Sequence, residues 1–237
     1  VNKLRIGREA IAATPTLKLV VLAATGTNNV DLDAAGERGV AVCNLRDYCT
    51  ASVVQHVMGA LLLLTHRLRE YDALVRSGAW QKGEQFCLLE YPIRELCGRR
   101  FGVVGYGTLG RAVGRAAQGF GMELAIANRP GGAPQPGRVN LAELLPTLDV
   151  LSLHCPLTPA TAGLIGASQL ASMKPDAVLI NTARGALVDG AALAAALRAG
   201  RLGGAAIDVL PQEPPVDGDP LLSPDIPNLI VTPHVAW

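Results

Sequence analysis

From residue 101 onward, solid apolar runs alternate with stretches whose apolar residues recur at helical spacing. The runs are Phe101–Val104, Met122–Ala127, Val150–His154, Ala177–Ile180, Gly204–Ile207 and Leu229–Val231. A run without polar alternation suits a strand covered on both faces, as strands of parallel sheets are. Between the runs, Arg111–Gln118, Leu141–Leu145 and Ala191–Ala199 are rich in Ala and Leu and predict helices. Asn140 and Glu143 stand at capping-box spacing before the second of these, with Asn in place of the usual Ser or Thr. Such strand–helix alternation predicts an α/β fold, a doubly wound parallel sheet with right-handed crossovers. The Pro- and Gly-rich stretch Arg129–Gly137 reads as a surface loop.

The first hundred residues are patterned differently. Leu17–Ala23 reads as a strand, followed by a Gly/Asn turn, a helix from about Asp31 and a short strand Val40–Cys43. Thr50 to Val75 predicts one long helix, with Thr50 or Ser52 as N-cap. Apolar residues cover most of its surface, so it is expected to lie buried between two bodies. Ser77 to Arg100 scatters Gly, Trp, Tyr and Pro with no period and predicts an extended arm.

Composition narrows the classes of function. Lys and Arg number 21 against 20 Asp and Glu, a net charge of +1, and no basic run is present. A nucleic-acid partner held by phosphate neutralisation is therefore not expected. The longest apolar run, Val57–Leu64, falls well short of the roughly 18–20 residues that cross a bilayer. Val1–Ala12 lacks the order of a signal peptide. The cysteines (Cys43, Cys49, Cys87, Cys97, Cys155) are odd in number and form no C-x-x-C pair, which suits reduced thiols in a cytoplasmic protein. No His/Cys spacing suggests a metal site.

The first chemical motif is Gly105-Tyr106-Gly107-Thr108-Leu109-Gly110, a G-x-G-x-x-G that directly follows a predicted strand and opens a predicted helix. In that context the first glycine permits a tight turn and the second admits a pyrophosphate close to the backbone. The third lets helix pack on strand, and free N–H groups at the helix start hold the phosphate. This predicts a Rossmann dinucleotide-binding domain. Enzymes that use NAD usually place an acid at the end of the next strand to bind the ribose 2′-hydroxyl. Here Asn128 and Arg129 stand instead. Asn128 can hydrogen-bond a hydroxyl, whereas Arg129 can neutralise a 2′-phosphate or stand as a solvated loop residue. The pair tilts the cofactor, NAD or NADP, toward NADP.

Three later segments follow in order: Asn181-Thr182-Ala183-Arg184-Gly185, Asp208-Val209-Leu210-Pro211-Gln212-Glu213-Pro214 and Thr232-Pro233-His234-Val235-Ala236-Trp237. With the glycine motif they resemble the D-isomer-specific 2-hydroxyacid dehydrogenases. Residues 24–31 and 48–56 also match that family's glycerate dehydrogenase (hydroxypyruvate reductase) branch. The resemblance implies His234 as general acid/base, Glu213 as the carboxylate that orients its ring and favours its charged form, and Arg184 as the group that binds the substrate carboxylate and polarises the carbonyl. It also implies cofactor contacts at Thr108 and Leu109 in the turn and at Cys155, Pro156 and Thr161 after the next strand. Thr182, Ala183, Asp208 and Ala236 are implied on the nicotinamide side. Thr25 and Gly26 are implied in a loop that binds substrate, with Thr25 also reaching the cofactor. His56, His66 and His154 are expected to be structural. Relatives more often carry an acid at Asn128 and a Thr at Val57.

The expected reaction is NAD(P)-dependent hydride transfer on a small D-2-hydroxy or 2-oxo acid, either glycerate/hydroxypyruvate or glycolate/glyoxylate. The alternatives are phosphoglycerate dehydrogenase and a nucleotide-sensing, corepressor-like binding protein of the same fold. Formate dehydrogenase fits poorly, since it normally has Gln where Glu213 stands. The resemblance divides the chain into a partial, flavodoxin-like substrate domain (1–49), an interdomain helix (50–77) and a dinucleotide-binding domain (78–237, including the arm 78–100). It also implies a homodimer through the cofactor domain. Relatives continue beyond both ends, so residues 1–237 are expected to keep the dinucleotide fold but to be inactive or poorly stable alone.

Overall fold

The computed structural model describes Val1, residues 4–27 and residues 29–237; Asn28, within the matched segment 24–31, lies outside the described residues. The chain divides into two compact units, Val1–Tyr48 and Cys49–Trp237.

The first unit comprises α1 (Arg8–Ala12), β1 (Leu19–Leu22), α2 (Leu32–Glu37) and β2 (Ala41–Asn44). The two strands pair in parallel, from Leu19 opposite Ala41 to Leu22 opposite Asn44. Asp31 caps α2 by accepting the Ala34 N–H at 2.8 Å. Ile11, Val20, Leu22, Val30, Ala34, Ala35 and Val40 form its core. The sequence pattern does not reveal α1, because five residues with one buried side chain, Ile11, carry no period.

The second unit opens with α3 (Thr50–Thr65), α4 (Leu68–Arg76) and α5 (Ala79–Lys82). The single helix expected over Thr50–Val75 is thus two, broken where Arg67 adopts a left-handed φ of 54°. Local propensity favours continuation, but the Arg67 guanidinium is drawn elsewhere. It hydrogen-bonds Asn228, approaches Glu70 at 3.2 Å and lies over the Tyr91 ring at 5.4 Å. Tertiary contacts decide the break. The N-cap of α3 is Cys49, with no side-chain cap, rather than Thr50 or Ser52. The arm expected to be extended contains α5, whose Trp80 donates through Nε1 to the Phe86 carbonyl at 3.0 Å.

The rest is a doubly wound sheet: β3 (Arg100–Val104), α6 (Thr108–Gly119), β4 (Glu123–Ile126), α7 (Leu141–Leu144), β5 (Val150–Leu153), α8 (Ala167–Ser172), β6 (Val178–Asn181), α9 (Gly190–Arg198), β7 (Gly204–Ile207) and β8 (Leu229–Val231). The strands are parallel in the order β4-β3-β5-β6-β7-β8. All six apolar runs are strands. The sequence pattern misses α8, which buries only Leu170. The capping box expected at α7 does not form. Asn140 donates through Nδ2 to Glu143, and its Oδ1 accepts from Asn128, so that oxygen is diverted from the helix N–H groups.

Alternate residues of each strand enter opposite cores. Phe101, Val103, Val150, Val178, Ile180, Ala206 and Ile230 pack with Val53, Val57 and Leu61 of α3 and with Val113 and Ala117 of α6. Leu151, Leu153, Leu179, Ala205 and Ile207 pack with Leu170, Leu193 and Leu197 on the other face. Two apolar faces explain why the strands read as solid runs.

His154, just past β5, hydrogen-bonds the Ser152 hydroxyl at 2.9 Å, and burial pushes its pKa down from 6.5 to about 4. The unfolded chain takes up this proton near pH 6.5 while the folded chain resists it until about pH 4. The stabilisation is therefore complete above pH 6.5 and is lost progressively as pH falls toward 4. Between pH 7 and 4.5 this group should cost roughly 2–3 kcal/mol. His154→Gln should flatten the stability profile by about that amount in chemical denaturation; parallel profiles would show that His154 titrates normally.

Candidate active site

The sheet order reverses at β3, so the chain leaves β3 toward β4 and then returns to β5 on the other side. In open α/β sheets, ligands collect at the carboxyl ends of strands at such a point. There the chain turns at Gly105 with φ 92°, and a Cβ would lie 2.4 Å from the backbone N of Cys155. At Gly110 a Cβ would lie 2.1 Å from the Gly105 carbonyl oxygen. Internal packing therefore demands glycine at both. Gly107 is different, since a Cβ there meets nothing within 4 Å and the residue faces a cleft. Arg111 is the first residue of α6 to bond back, to the Gly107 carbonyl at 2.9 Å. That leaves the N–H groups of Thr108, Leu109 and Gly110 without intrahelical acceptors, an arrangement suited to a phosphate.

The cleft has a volume of about 760 Å³ and runs from the glycine turn past Arg129 to Gln135 and Arg138, with Cys155, Pro156 and Thr161 opposite. Asn128 anchors the loop: Nδ2 donates to Asn140 Oδ1 at 2.9 Å, and Oδ1 accepts the Gln135 N–H at 3.1 Å. Neither Arg129 nor Arg138 pairs with an acid among the described residues. The Thr161 hydroxyl, buried, donates to the Pro156 carbonyl at 2.8 Å and accepts the Thr158 N–H at 2.7 Å, so it shapes the cleft wall. Burial pushes the Cys155 thiol up to about 11, which keeps it an unreactive thiol at neutral pH. Open backbone at Gly107, unsatisfied helix N–H groups and two cations beside the cleft fit a dinucleotide phosphate.

Farther along the same edge, β6, β7 and β8 deliver the second cluster. Asn181 ends β6 fully buried; its Oδ1 accepts the Ala183 N–H at 3.0 Å and its Nδ2 donates to the Arg184 carbonyl at 2.9 Å. The Thr182 hydroxyl is buried without a hydrogen-bond partner among the described residues. Burial pushes the Arg184 guanidinium below its ordinary pKa, with the negative charge of Glu213 opposing that shift. At Gly185 a Cβ would sit 2.0 Å from the Leu210 carbonyl carbon, so the segment bearing Arg184 packs directly on the one leading to Glu213.

Glu213 accepts the Leu210 N–H at 3.0 Å through Oε1, and Oε2 meets His234 Nδ1 at 2.6 Å. His234 has φ 54°, in the left-handed region that a non-glycine residue enters only when its surroundings impose it. The imposing group is Asp208, at the end of β7 and 2% exposed. Its backbone carbonyl accepts the His234 N–H at 2.8 Å. Its Oδ1 accepts from the Thr232 hydroxyl at 2.6 Å and the Val235 N–H at 2.9 Å, and its Oδ2 accepts the Ala236 N–H at 3.0 Å. Asp208, expected beside the nicotinamide, thus has both carboxylate oxygens engaged in holding the turn that carries His234.

The second unit therefore gathers Arg184, Glu213 and His234 at one sheet edge, with Thr182, Ala183, Asp208 and Ala236 in the same segments. Gly105, Gly107, Thr108, Leu109, Gly110, Asn128, Arg129, Cys155, Pro156 and Thr161 lie around the glycine turn and cleft. Thr25 and Gly26 belong to the first unit, after β1, where the Thr25 carbonyl accepts from Asn44 Nδ2 at 2.7 Å. Asn181 and Thr232 escaped the sequence reading as site residues although both open quoted motifs. Their roles depend on backbone contacts that no spacing reveals. Among the described residues, no cluster of His, Cys, Asp or Glu is placed to hold a metal ion, and no helix is long and apolar enough to cross a membrane.

A glycine turn at the switch point of such a sheet, with a His–carboxylate pair on the same edge, defines a dinucleotide-binding oxidoreductase. Residues 58–236 match the family model described as D-isomer specific 2-hydroxyacid dehydrogenase, NAD binding domain. The chain is 46% identical over 237 residues to a glycerate dehydrogenase of Methylorubrum extorquens, covering all of this chain and 74% of that protein. It is 37% identical to a hydroxypyruvate reductase of Blautia hydrogenotrophica over 240 residues, covering all of this chain and 74% of that protein. It also resembles the solved NADPH-dependent glyoxylate/hydroxypyruvate reductase of Sinorhizobium meliloti in complex with NADP and malonate. That structure gives a TM-score of 0.83 at 32% identity, covering all of this chain and 72% of that one. The chain belongs to the D-isomer-specific 2-hydroxyacid dehydrogenase family, whose members are NAD(P)-dependent enzymes acting on a CH–OH or oxo group.

Asp208→Asn would present an amide N–H where the Val235 or Ala236 N–H now finds an acceptor. Each buried donor left unpaired costs about 1–3 kcal/mol. The variant should lose stability of that order and lower kcat/KM by more than about tenfold; wild-type values for both would show that the turn does not depend on this carboxylate.

Proposed function

We propose that this protein catalyses NAD(P)-dependent interconversion of a small 2-oxo acid and its D-2-hydroxy acid, with hydroxypyruvate/glycerate or glyoxylate/glycolate as the pair. The contact that carries this reading is His234 Nδ1 to Glu213 Oε2 at 2.6 Å, beside the half-buried Arg184. The nicotinamide supplies the hydride acceptor or donor. With Nδ1 taken by Glu213, His234 exchanges the substrate proton at Nε2, giving it to the carbonyl oxygen in reduction and removing it from the hydroxyl in oxidation. Glu213 fixes the ring orientation. Arg184 binds the substrate carboxylate with its fork of donors, and its partial burial strengthens that contact. The first unit, which carries Thr25 and Gly26, belongs to the substrate domain.

The cofactor is NADP in preference to NAD. Asn128 offers no carboxylate to a ribose 2′-hydroxyl, and Arg129 and Arg138 border the cleft without acid partners among the described residues. Dimerisation through the second unit would cover the exposed arm residues Trp80, Phe86, Leu89 and Ile93. The five unpaired cysteines suit a reducing, cytoplasmic setting.

His234→Ala should lower kcat for reduction of hydroxypyruvate by at least about a hundredfold while leaving the NADPH dissociation constant within a few-fold. A variant that turns over at the wild-type rate would refute the acid/base role. Arg129→Ala should weaken NADPH binding by about tenfold or more and NADH binding little, since only the former carries a 2′-phosphate; equal losses would return Arg129 to a solvated loop.

A further inference from the structure

His56, on α3, reaches the reverse side of the turn that carries His234. Its Nε2 lies 3.2 Å from the Thr232 hydroxyl and 3.8 Å from Asp208 Oδ1, and its side chain is 19% exposed. Thr232 lies two residues before His234, and its hydroxyl has a single proton. At 2.6 Å that proton points to Asp208 Oδ1, because a carboxylate only accepts. The Thr232 oxygen must then accept from His56, which sets His56 as the Nε2–H form. A directed chain results, from His56 Nε2–H to Thr232 O–H to Asp208 Oδ1, and the same carboxylate holds the N–H groups of Val235 and Ala236.

We propose that His56 is a positioning residue for the reaction. By fixing the Thr232 hydroxyl toward Asp208, it holds the left-handed turn that aims His234, without touching substrate or cofactor itself. Asp208 must satisfy three donors from a turn in a conformation its residues do not favour by themselves, and a freely rotating hydroxyl at Thr232 would remove one of them. The hydroxyl has no choice of direction while His56 donates to its lone pair. Two helical turns of α3 bury Val53, Val57 and Leu61 in the core, which fixes the height of His56 against the sheet edge. This rests on the reading of His234 as the acid/base, but the chain predicts a structural readout independent of turnover.

The test compares wild type with His56→Phe, His56→Gln, Thr232→Val and the double variant His56→Phe/Thr232→Val. Hydrogen–deuterium exchange at Val235 and Ala236 should speed up in His56→Phe by about three- to tenfold, the size expected for loss of one net hydrogen bond. Amides of β3 and β5 should keep their wild-type rates. In the same variant kcat should fall by a similar factor, with KM for NADPH within about twofold of wild type. His56→Gln, which keeps a donor at the same reach, should restore both. The double variant should be no worse than Thr232→Val alone, because His56 acts through Thr232. Unchanged exchange at Val235 and Ala236 in His56→Phe, additive losses in the double variant, or no recovery with Gln would each overturn the proposal. Faster exchange with no change in kcat would also overturn it, because the turn would then loosen without consequence for the reaction; the acid/base role of His234 is read separately from His234→Ala.

Discussion

One buried carboxylate holds the candidate site in shape. Asp208 stands just past the end of β7, almost without solvent, and accepts from three donors of the segment Thr232–Ala236. Its backbone carbonyl takes a fourth, the His234 N–H. A buried carboxylate is tolerable only when its lone pairs are satisfied, and satisfying them here forces the next strand's exit into a turn with His234 at positive φ. The cost of burying the charge and the strain of the turn are thus coupled, each made sustainable by the other. Without this coupling the imidazole would have no defined direction toward Glu213.

The rest of the architecture delivers groups to that point. Six parallel strands with both faces covered end on one edge, so Asn181, Asp208 and Thr232 emerge side by side from β6, β7 and β8. The glycine turn after β3 uses backbone dipoles, and the β6–β8 edge uses ionisable side chains. The division suits the two tasks: phosphate needs fixed N–H groups, whereas proton transfer needs a group that changes charge. Packing of Gly185 on Leu210 keeps the Arg184 and Glu213 segments in backbone contact, so the guanidinium and the carboxylate are set by the same core.

Much of this was legible in the residues. The six strands were, because double-sided burial writes a solid apolar run, and so was the glycine turn, because Gly105 and Gly110 have no room for a Cβ. The pairing of His234 with Glu213 came only through resemblance, since 21 residues separate them. Features set by distant partners stayed hidden. The break at Arg67 depends on Asn228 and Tyr91, far along the chain. The capping expectation at Asn140 failed because Asn128 competes for its oxygen. His56 looked merely structural because its partners, Asp208 and Thr232, lie on strands remote in sequence. Short helices such as α1 and α8, each burying one large side chain, left no period to read.

The most direct measurement is the configuration and yield of the product when the purified protein reduces hydroxypyruvate and glyoxylate with NADPH or NADH. Consumption of reduced nicotinamide matched by formation of D-glycerate from hydroxypyruvate is the predicted result. Tight binding of either nucleotide without turnover on any small 2-oxo acid would contradict it.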